Sequence, residues 1–213
     1  MKDEREQLCR LGERLYQKGL THGSTGNLSM RLSNGQILIT PTGCCLGDLD
    51  PSHLSILDQN GVLINGPKPT KEVPLHQALY QTRGSSAGAI VHLHSCYSTA
   101  LSLLPCKDET DWLPHLTPYS IMQLGQIRLI PYHLPGSQAL GEEIRGLAGR
   151  HSAVMLANHG PVVSAKNIDA AVCASEELEA AAKLAFLTRA LEPNGLTTEQ
   201  ITALVRAYQV EWN

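Results

Sequence analysis

Two histidines lie one residue apart in the apolar segment "IVHLHS", residues 90–95. Alternate side chains of a β-strand point to the same side, so a strand here places His92 and His94 on one face. Two imidazoles on one face can bind one metal ion, and a catalytic zinc-type site needs a third protein ligand beside an open coordination position. His159 is the candidate third ligand, because it follows the apolar run "AVMLA" and lies where a strand ends. From spacing alone an alternative stays open, in which all three histidines are hydrogen-bonded structural residues.

Three short segments have the residue types that bind phosphate. "GSTGNLS" (23–29) and "TPTGC" (40–44) are glycine-containing turns beside predicted strands, where backbone N–H groups and hydroxyls can hold an anion. "PTKE" (69–72) places a hydroxyl, an ammonium and a carboxylate at the start of a predicted helix, where the helix dipole and free N–H groups favour an anion. Ordinary turns, a capping threonine and an exposed lysine would give the same pattern.

The N-terminal half predicts a helix followed by antiparallel hairpins. Leucines at helical spacing predict a helix from about residue 4 to Lys18, ending at Gly19. The Asn-Gly pairs at 34–35 and 60–61 each lie between two β-type runs, which is the strongest short signal for a hairpin. At least half of the sheet is therefore expected to be antiparallel.

The rest of the chain alternates between helices and strands. A helix opens near Thr70 with Pro74 in its first turn, where a missing N–H costs least. The other predicted elements are a strand Ala89 to His94, a helix Tyr97 to Leu103, a strand "IRLIPY", a helix "SQALGEEIRGLAG", a strand pair around "AVMLANHGPVVSA", a long helix from Asn167 or Asp169 to Arg189, and a last helix from Thr197 or Thr198. Residues 1–213 are predicted to form a single domain, with helices covering a mostly antiparallel sheet.

Composition and charge exclude several classes of protein. The formal net charge of −3 and a pI near 6.3 give no basic footprint for nucleic acid or an anionic membrane, although a small anionic ligand needs only a local pocket. No stretch approaches the ~20 apolar residues of a membrane-spanning helix, and "MKDEREQLCR" lacks the apolar core of a signal peptide. Six cysteines without CxxC spacing predict reduced thiols. We therefore expect a cytoplasmic protein.

The segments "STGNLS", "TPTG", "PTKE", "HLHS" and "NHG", in this order, resemble the class II aldolase family of zinc-dependent sugar-phosphate aldolases and epimerases. The resemblance covers nearly the whole chain. It implies an α/β fold, a three-layer α/β/α sandwich with a mostly antiparallel central sheet, and a homotetramer with sites between subunits. The hairpin pattern agrees with that fold.

The resemblance also implies roles for individual residues. His92, His94 and His159 would be permanent ligands of a divalent metal, most commonly Zn²⁺, with Mn²⁺, Co²⁺ or Fe²⁺ also fitting such a site. Glu72 would act as general base and could also ligate the metal, and Tyr119 in "TPYS" would be a proton donor. The residues implied in phosphate binding are Gly26, Asn27, Thr42, Gly43, Thr70 and Lys71.

Lys71 departs from the family pattern, because aldolases and epimerases tend to have a second serine before the acidic residue. An ammonium suits a substrate that carries a carboxylate as well as a phosphate. "PTKE" resembles the branch that decarboxylates 3-oxo-tetronate 4-phosphates in the catabolism of four-carbon acid sugars. That reaction gives dihydroxyacetone phosphate and CO₂ through an enediolate bound to the metal.

Two other activities remain open at the level of the sequence. The first is a sugar-phosphate aldolase of the fuculose or rhamnulose type, or a pentulose-phosphate 4-epimerase, which would use the same groups. The second is a non-catalytic binding module like the adducin head, which shares the fold but lacks the metal ligands that are present here.

Overall fold

A computed structural model describes residues 2–212 of the chain. Within them, eight strands form one sheet: β1 Asn27–Arg31, β2 Ile37–Ile39, β3 Ser55–Leu57, β4 Leu63–Asn65, β5 Ala89–His92, β6 Arg128–Ile130, β7 Ala153–Leu156 and β8 Gly160–Ala165. Their order across the sheet is β4-β3-β2-β1-β5-β8-β7-β6. All neighbouring pairs are antiparallel except β6 and β7, which run parallel. The prediction of a mostly antiparallel sheet is confirmed.

Helices cover both faces of this sheet. They are α1 Lys2–Gln17, α2 Val73–Arg83, α3 Cys96–Ser102, α4 Pro118–Leu124, α5 Gln138–Gly146, α6 Ile168–Thr188 and α7 Thr198–Tyr208. Leu8 of α1 and Val172 of α6 belong to one buried cluster with Val91 of β5. Leu75 of α2 belongs to a second cluster with Ile90. Because successive residues of a strand point to opposite faces, the two clusters lie on opposite sides of β5 and form the predicted three-layer sandwich.

The centre of the sheet brings three sequence motifs together. β5 lies between β1 and β8, and Asn27 of β1 is paired with His92 of β5. His92 is paired on its other side with Val162 of β8, three residues beyond His159. The "GN", "HLH" and "NHG" segments therefore meet at one end of three adjacent strands.

Both predicted hairpins are present. Asn34-Gly35 connects β1 to β2, and Asn60-Gly61 connects β3 to β4. Gly35 and Gly61 have φ values of +83° and +80°, a conformation that favours glycine. These two turns fix the register of half the sheet.

Several predicted boundaries were wrong by a few residues. α2 begins at Val73 rather than near Thr70, so residues 70–72 form a turn that leads into the helix. β5 ends at His92 rather than His94, so His94 lies in the connection to α3. The helix α4, which carries Tyr119, was not predicted. It has only seven residues, too few to show a helical repeat of apolar side chains, although Pro118 and Gly125 lie at its two ends.

The parallel pairing of β6 with β7 was also missed. α5 connects these strands, and a helix between two neighbouring strands is the usual route to a parallel pair. All six cysteines are free, as predicted. Among the described residues, no helix has both the length and the apolar character needed to cross a bilayer.

Candidate metal and substrate site

Three imidazoles converge at the end of β5. His92 ends the strand, His94 follows it, and His159 lies in the turn between β7 and β8. Their ring centroids are 4.8 to 5.0 Å apart. Glu72 lies among them, and one ligand atom from each of the four residues lies within 4.8 Å of the others. We call these four residues the Glu/His₃ centre.

The turn that carries His159 is held against the strand that carries the other two histidines. Asn158 adopts a left-handed conformation with φ of +58°, and the N–H of His159 donates to the carbonyl of Leu156 at 3.1 Å. A Cβ atom on Gly160 would lie only 2.0 Å from the carbonyl oxygen of Leu93. Only glycine permits this approach, which explains the glycine of "NHG" and the position of His159.

The carboxylate of Glu72 is buried against two of the histidines. Its Oε2 lies 3.2 Å from Nε2 of His92, and its Oε1 lies 3.4 Å from Nε2 of His159. Only 3% of the residue is exposed, yet Oε1 is without a hydrogen-bond partner among the described residues. A buried oxygen in this state is costly, so it calls for a cation or a proton at the centre.

The imidazole of His92 is oriented for metal binding. Its Nδ1 lies 2.9 Å from the carbonyl oxygen of Pro161 and must donate, because a carbonyl only accepts. In the neutral ring Nε2 then has a lone pair, as in metal-binding histidines whose other nitrogen is held by a backbone carbonyl. Nε2 of His94 lies 3.2 Å from this nitrogen. A proton or a cation must lie between them.

The electrostatics give the charge states that a divalent ion requires. Burial lowers the pKa of His94 to about 3 and that of His159 to about 4, and the neighbouring His92 adds to both shifts. Both rings are therefore neutral at pH 7. Burial alone would raise the pKa of Glu72, but attraction by His92 and hydrogen bonds from His92 and Asn27 outweigh it and lower the pKa. A cation in the centre would take the place of the Nε2 proton through which His92 attracts the carboxylate. Two neutral rings, the lone pair of His92 and an anionic carboxylate fit a divalent cation.

The predicted phosphate segments lie side by side next to this centre. Pro41 and Pro69 form a β-bridge, so the "TPTG" and "PTKE" segments are paired. Thr42 and Gly43 are exposed, and Gly43 has φ of +73°. Gly26, with φ of +79°, lies so close to β5 that a Cβ would be 3.0 Å from the carbonyl oxygen of His92. The structure thus brings all three segments together.

Lys71 is exposed in the turn before α2, beside Glu72. The pKa of His159 is lowered mainly by burial and by His92, and also by the positive charge of Lys71. The ammonium therefore lies within electrostatic range of the Glu/His₃ centre. The loop before α5 packs on this turn, because a Cβ on Gly136 would lie 2.7 Å from the carbonyl oxygen of Lys71.

Residues 6–186 match the family described as the class II aldolase and adducin N-terminal domain. The chain belongs to this family. The family predicted from the sequence is confirmed.

Relatives within the family include enzymes with different names. The chain is 45% identical over 200 residues to the 3-oxo-tetronate 4-phosphate decarboxylase of Pectobacterium atrosepticum, covering 94% of this chain and 91% of the relative. It is 38% identical to the L-fuculose phosphate aldolase of Methanococcus maripaludis, covering 87% and 96%. The crystal structure of YgbL from Escherichia coli superposes with a TM-score of 0.92 at 40% identity, covering 95% and 98%. The predicted class II aldolase fold is confirmed.

Asn27 has a different environment from the one expected of a phosphate ligand of this family. Its side chain is buried, and Nδ2 donates to Oε2 of Glu72 at 2.8 Å. Its Oδ1 lies 2.5 Å from Nε2 of His76. Both the NH₂ group and the carbonyl of the amide thus form hydrogen bonds inside the protein. The side chain binds the carboxylate of Glu72 and does not face an open pocket.

His76 was not singled out from the sequence as a site residue, and its link to Glu72 was missed. It follows Glu72 by four residues, one helical turn later, so the two side chains lie on the same side of α2. That spacing was the only local signal. The contact depends on Asn27, which is 49 residues away in sequence.

Tyr119 is not brought to the Glu/His₃ centre of its own chain. It lies near the start of α4, which packs on α6 and α7, and 59% of the residue is exposed. Among the described residues it forms no hydrogen bond or ring contact with the four members of the centre. A role in proton transfer therefore requires a second subunit.

Proposed function

We propose that this protein is a metal-dependent carbon–carbon lyase that decarboxylates a 3-oxo-tetronate 4-phosphate to dihydroxyacetone phosphate and CO₂. The observation that carries the proposal is the positive charge of Lys71 beside the Glu/His₃ centre, where it suits a substrate that is both phosphorylated and carboxylated. The higher identity to the decarboxylase relative, 45% against 38% for the aldolase, supports the same choice.

The substrate is bound through its two anionic ends. The phosphate lies against the half-buried turn of Gly26 and the exposed turn of Thr42-Gly43, whose backbone N–H groups suit an anion. Thr70 lines the same pocket, although its hydroxyl also accepts from the N–H of Glu72 at 3.3 Å. Lys71 holds the carboxylate at the opposite end. This arrangement orients the bond between C1 and C2 for cleavage.

His92, His94 and His159 hold the divalent ion, and Glu72 is either a fourth ligand or a proton-transfer group. Imidazole donors favour Zn²⁺, although Mn²⁺, Co²⁺ or Fe²⁺ also suit the set. When bound, the ion acts as a Lewis acid on the C3 ketone of the substrate.

Glu72 and Tyr119 supply the proton chemistry. When the C1–C2 bond breaks, CO₂ leaves and the electron pair is delocalised from C2 onto the ketone oxygen as an enediolate. A proton added at C2 then gives dihydroxyacetone phosphate. Glu72 is ionised in the free protein, so it takes a proton from water and passes it to C2. Oε1 suits this relay because it is buried, has no hydrogen-bond partner among the described residues and lies 3.4 Å from Nε2 of His159. Tyr119 of a neighbouring subunit is the second candidate donor.

A tetrameric assembly is part of the proposal. Exposed Tyr132 and Leu134 lie in the loop before α5, and Leu184, Leu187 and Leu191 form an exposed stripe at the end of α6. Contiguous exposed apolar side chains of this kind usually mark a protein interface. We propose a cytoplasmic location, which is consistent with six free thiols.

The function is tested with a panel of substrates. Metal-loaded protein should release equal amounts of CO₂ and dihydroxyacetone phosphate from a 3-oxo-tetronate 4-phosphate, and chelated protein should release neither. L-Fuculose 1-phosphate and other ketose 1-phosphates serve as the comparison set. Formation of dihydroxyacetone phosphate and an aldehyde from these, with no CO₂ from the acid, would establish the aldolase activity instead.

Lys71→Ser restores the family's hydroxyl at position 71 and removes the positive charge. A charge-assisted contact contributes about 1.5–3 kcal/mol, so kcat/KM for the acid substrate should fall roughly 10- to 150-fold. Inorganic phosphate, tested as a competitive inhibitor, should bind with little change if Lys71 serves the carboxylate. Lys68→Ser is the matched control, because Lys68 is exposed three residues earlier.

Two other outcomes would reassign Lys71. Equal losses for phosphate and for the acid substrate would place the ammonium in the phosphate pocket and remove the main reason for preferring decarboxylation. Unchanged kinetics would show that Lys71 is an exposed residue of the turn with no part in substrate binding.

A further inference from the structure

A buried chain of side-chain hydrogen bonds connects the Glu/His₃ centre to the core between β1 and α2. Asn27 bonds Glu72 at 2.8 Å and His76 at 2.5 Å. Nδ1 of His76 lies 2.7 Å from Oγ of Ser29, and this oxygen lies 2.8 Å from the hydroxyl of Tyr80. Each of these residues is at most 5% exposed. No water competes for their donors and acceptors, so each group must be satisfied by the next.

The carboxylate of Glu72 determines the direction of every bond in this chain. An ionised carboxylate only accepts, so Asn27 must present its NH₂ group to Glu72 and its carbonyl to His76. His76 must then donate from Nε2. Burial, with a contribution from His92, lowers the pKa of His76 to about 3, so the ring is neutral and Nδ1 accepts from Ser29. The hydroxyl proton of Ser29 is then donated to Nδ1 of His76, so the hydroxyl of Tyr80 must donate to Oγ of Ser29.

His76 stabilises the amide orientation that the carboxylate of Glu72 requires. If the amide of Asn27 were reversed, its carbonyl would face the carboxylate, and its NH₂ group would face Nε2 of His76. A donor at Nε2 excludes that arrangement, because two donors would then meet. Strand pairing with His92 also fixes the backbone of Asn27, so only its side-chain amide can reorient.

We propose that His76 is a positioning residue that acts on Glu72 through Asn27, holding Oε2 in a hydrogen bond so that Oε1 alone faces the reacting atoms. The inference rests on the proposed role of Glu72 in proton transfer but not on the identity of the substrate. Ser29 and Tyr80 support His76 by fixing its tautomer. Neither of them contacts the Glu/His₃ centre.

The tautomer of His76 can be measured without any activity. In ¹⁵N NMR spectra of uniformly labelled protein, the ring of His76, assigned by its disappearance in His76→Gln, should be neutral with its proton on Nε2 at pH 7. A proton on Nδ1, or a charged ring, contradicts the proposal. This measurement separates a failure of the positioning role from a failure of the proposed reaction.

The kinetic test uses one variant that removes the Nε2–H donor of His76 and one that replaces it with another donor. His76→Leu should lower kcat about tenfold, the effect of one lost buried hydrogen bond that acts at the transition state, while KM changes little. His76→Gln should recover most of the rate, because its amide nitrogen can donate from near the position of Nε2. Equal losses of rate in the two variants would contradict the proposal.

A double-mutant cycle distinguishes positioning from a general structural effect. If His76 acts through Glu72, His76→Leu should change kcat less than about twofold when Glu72→Gln is already present. Independent, multiplicative losses would overturn the proposal. His151→Leu is the matched control, because His151 is a buried histidine bonded to the carbonyl of Gln126 at 3.0 Å and lies at the opposite end of β7 from His159. It should keep its kcat.

Ser29→Ala provides the same test if His76→Leu fails to fold. Loss of the hydroxyl removes the donor to Nδ1 of His76, so the population with a proton on Nδ1 should increase in the NMR spectrum and kcat should fall. A variant with an unchanged tautomer and unchanged kcat would show that the chain beyond Asn27 has no influence on the centre.

Discussion

His94→Ala is expected to lose both the bound metal and the activity while the fold survives. Purified wild-type protein should hold about one divalent ion per chain, as three histidines with an open position are typical of a catalytic site. His94 is the most informative ligand to replace, because it lies in the connection after β5 and outside the strand. His92 is fully buried within the sheet, so its loss would also disturb the core.

Metal analysis and thermal unfolding measure the two parts of this expectation. The ion content of His94→Ala should fall to a small fraction of one per chain, and its unfolding temperature should match that of wild-type protein treated with a chelator. The reason is that an ion bound only by the folded state stabilises it, and both treatments remove this contribution. His53→Ala, which removes an exposed histidine, should keep its metal and its activity. Full occupancy in a His92→Ala, His94→Ala double variant would exclude the proposed site.

The convergence of the three histidines was predictable because short-range rules place them. Alternation along a strand put His92 and His94 on one side of the sheet, and the end of the next strand pair put His159 nearby. Although β5 ends at His92, the side chain of His94 still lies beside that of His92, with the two Nε2 atoms 3.2 Å apart. The family resemblance then supplied Glu72, which the spacing of the histidines could not indicate.

The buried polar chain could not be predicted in the same way. Asn27 is in β1 and His76 is in α2, so their contact depends on how that helix packs across the sheet. An asparagine after a glycine turn suggests an exposed loop residue, but pairing with β5 draws its side chain into the interior. The helix α4, which carries Tyr119, was missed because seven residues are too few to show a helical repeat, and its position depends on packing against α6 and α7. The role of Tyr119 in proton transfer stays a prediction.

Glu72→Gln tests the assignment of the proton-transfer group. The substitution keeps the volume of the side chain, and the amide oxygen can still accept from Nδ2 of Asn27. The NH₂ group would then occupy the place of Oε1 beside His159, where it cannot exchange a proton with C2 of the substrate. We expect kcat to fall roughly 10²-fold or more, the usual scale for loss of an acid–base group, with a small change in KM.

The ion content must be measured on the same sample, because both metal binding and proton transfer are proposed for Glu72. A large loss of rate at full metal occupancy would show that Glu72 transfers the proton. A loss of rate in proportion to the lost metal would show that Glu72 acts as a metal ligand. Glu176→Gln is the control, since this partly buried carboxylate pairs with Arg14 and Lys18 outside the centre and should affect stability alone.

If Glu72→Gln at full metal occupancy turned over at close to the wild-type rate, proton transfer by Glu72 would be excluded. Two proton sources would remain, Tyr119 and solvent. Tyr119→Phe separates them, because it removes only the phenolic hydroxyl. If Tyr119 of a neighbouring subunit is the donor, the rate of this variant should fall by a similar factor. Mixed oligomers of Tyr119→Phe and His94→Ala should then regain activity, because an intact Glu/His₃ centre on one subunit can meet an intact Tyr119 on the other. An unchanged rate in both single variants would leave solvent as the donor at C2. The enediolate would then be protonated without stereochemical control, and the product formed in ²H₂O would contain deuterium on its hydroxymethyl carbon, which was C2 of the substrate, with no preferred configuration.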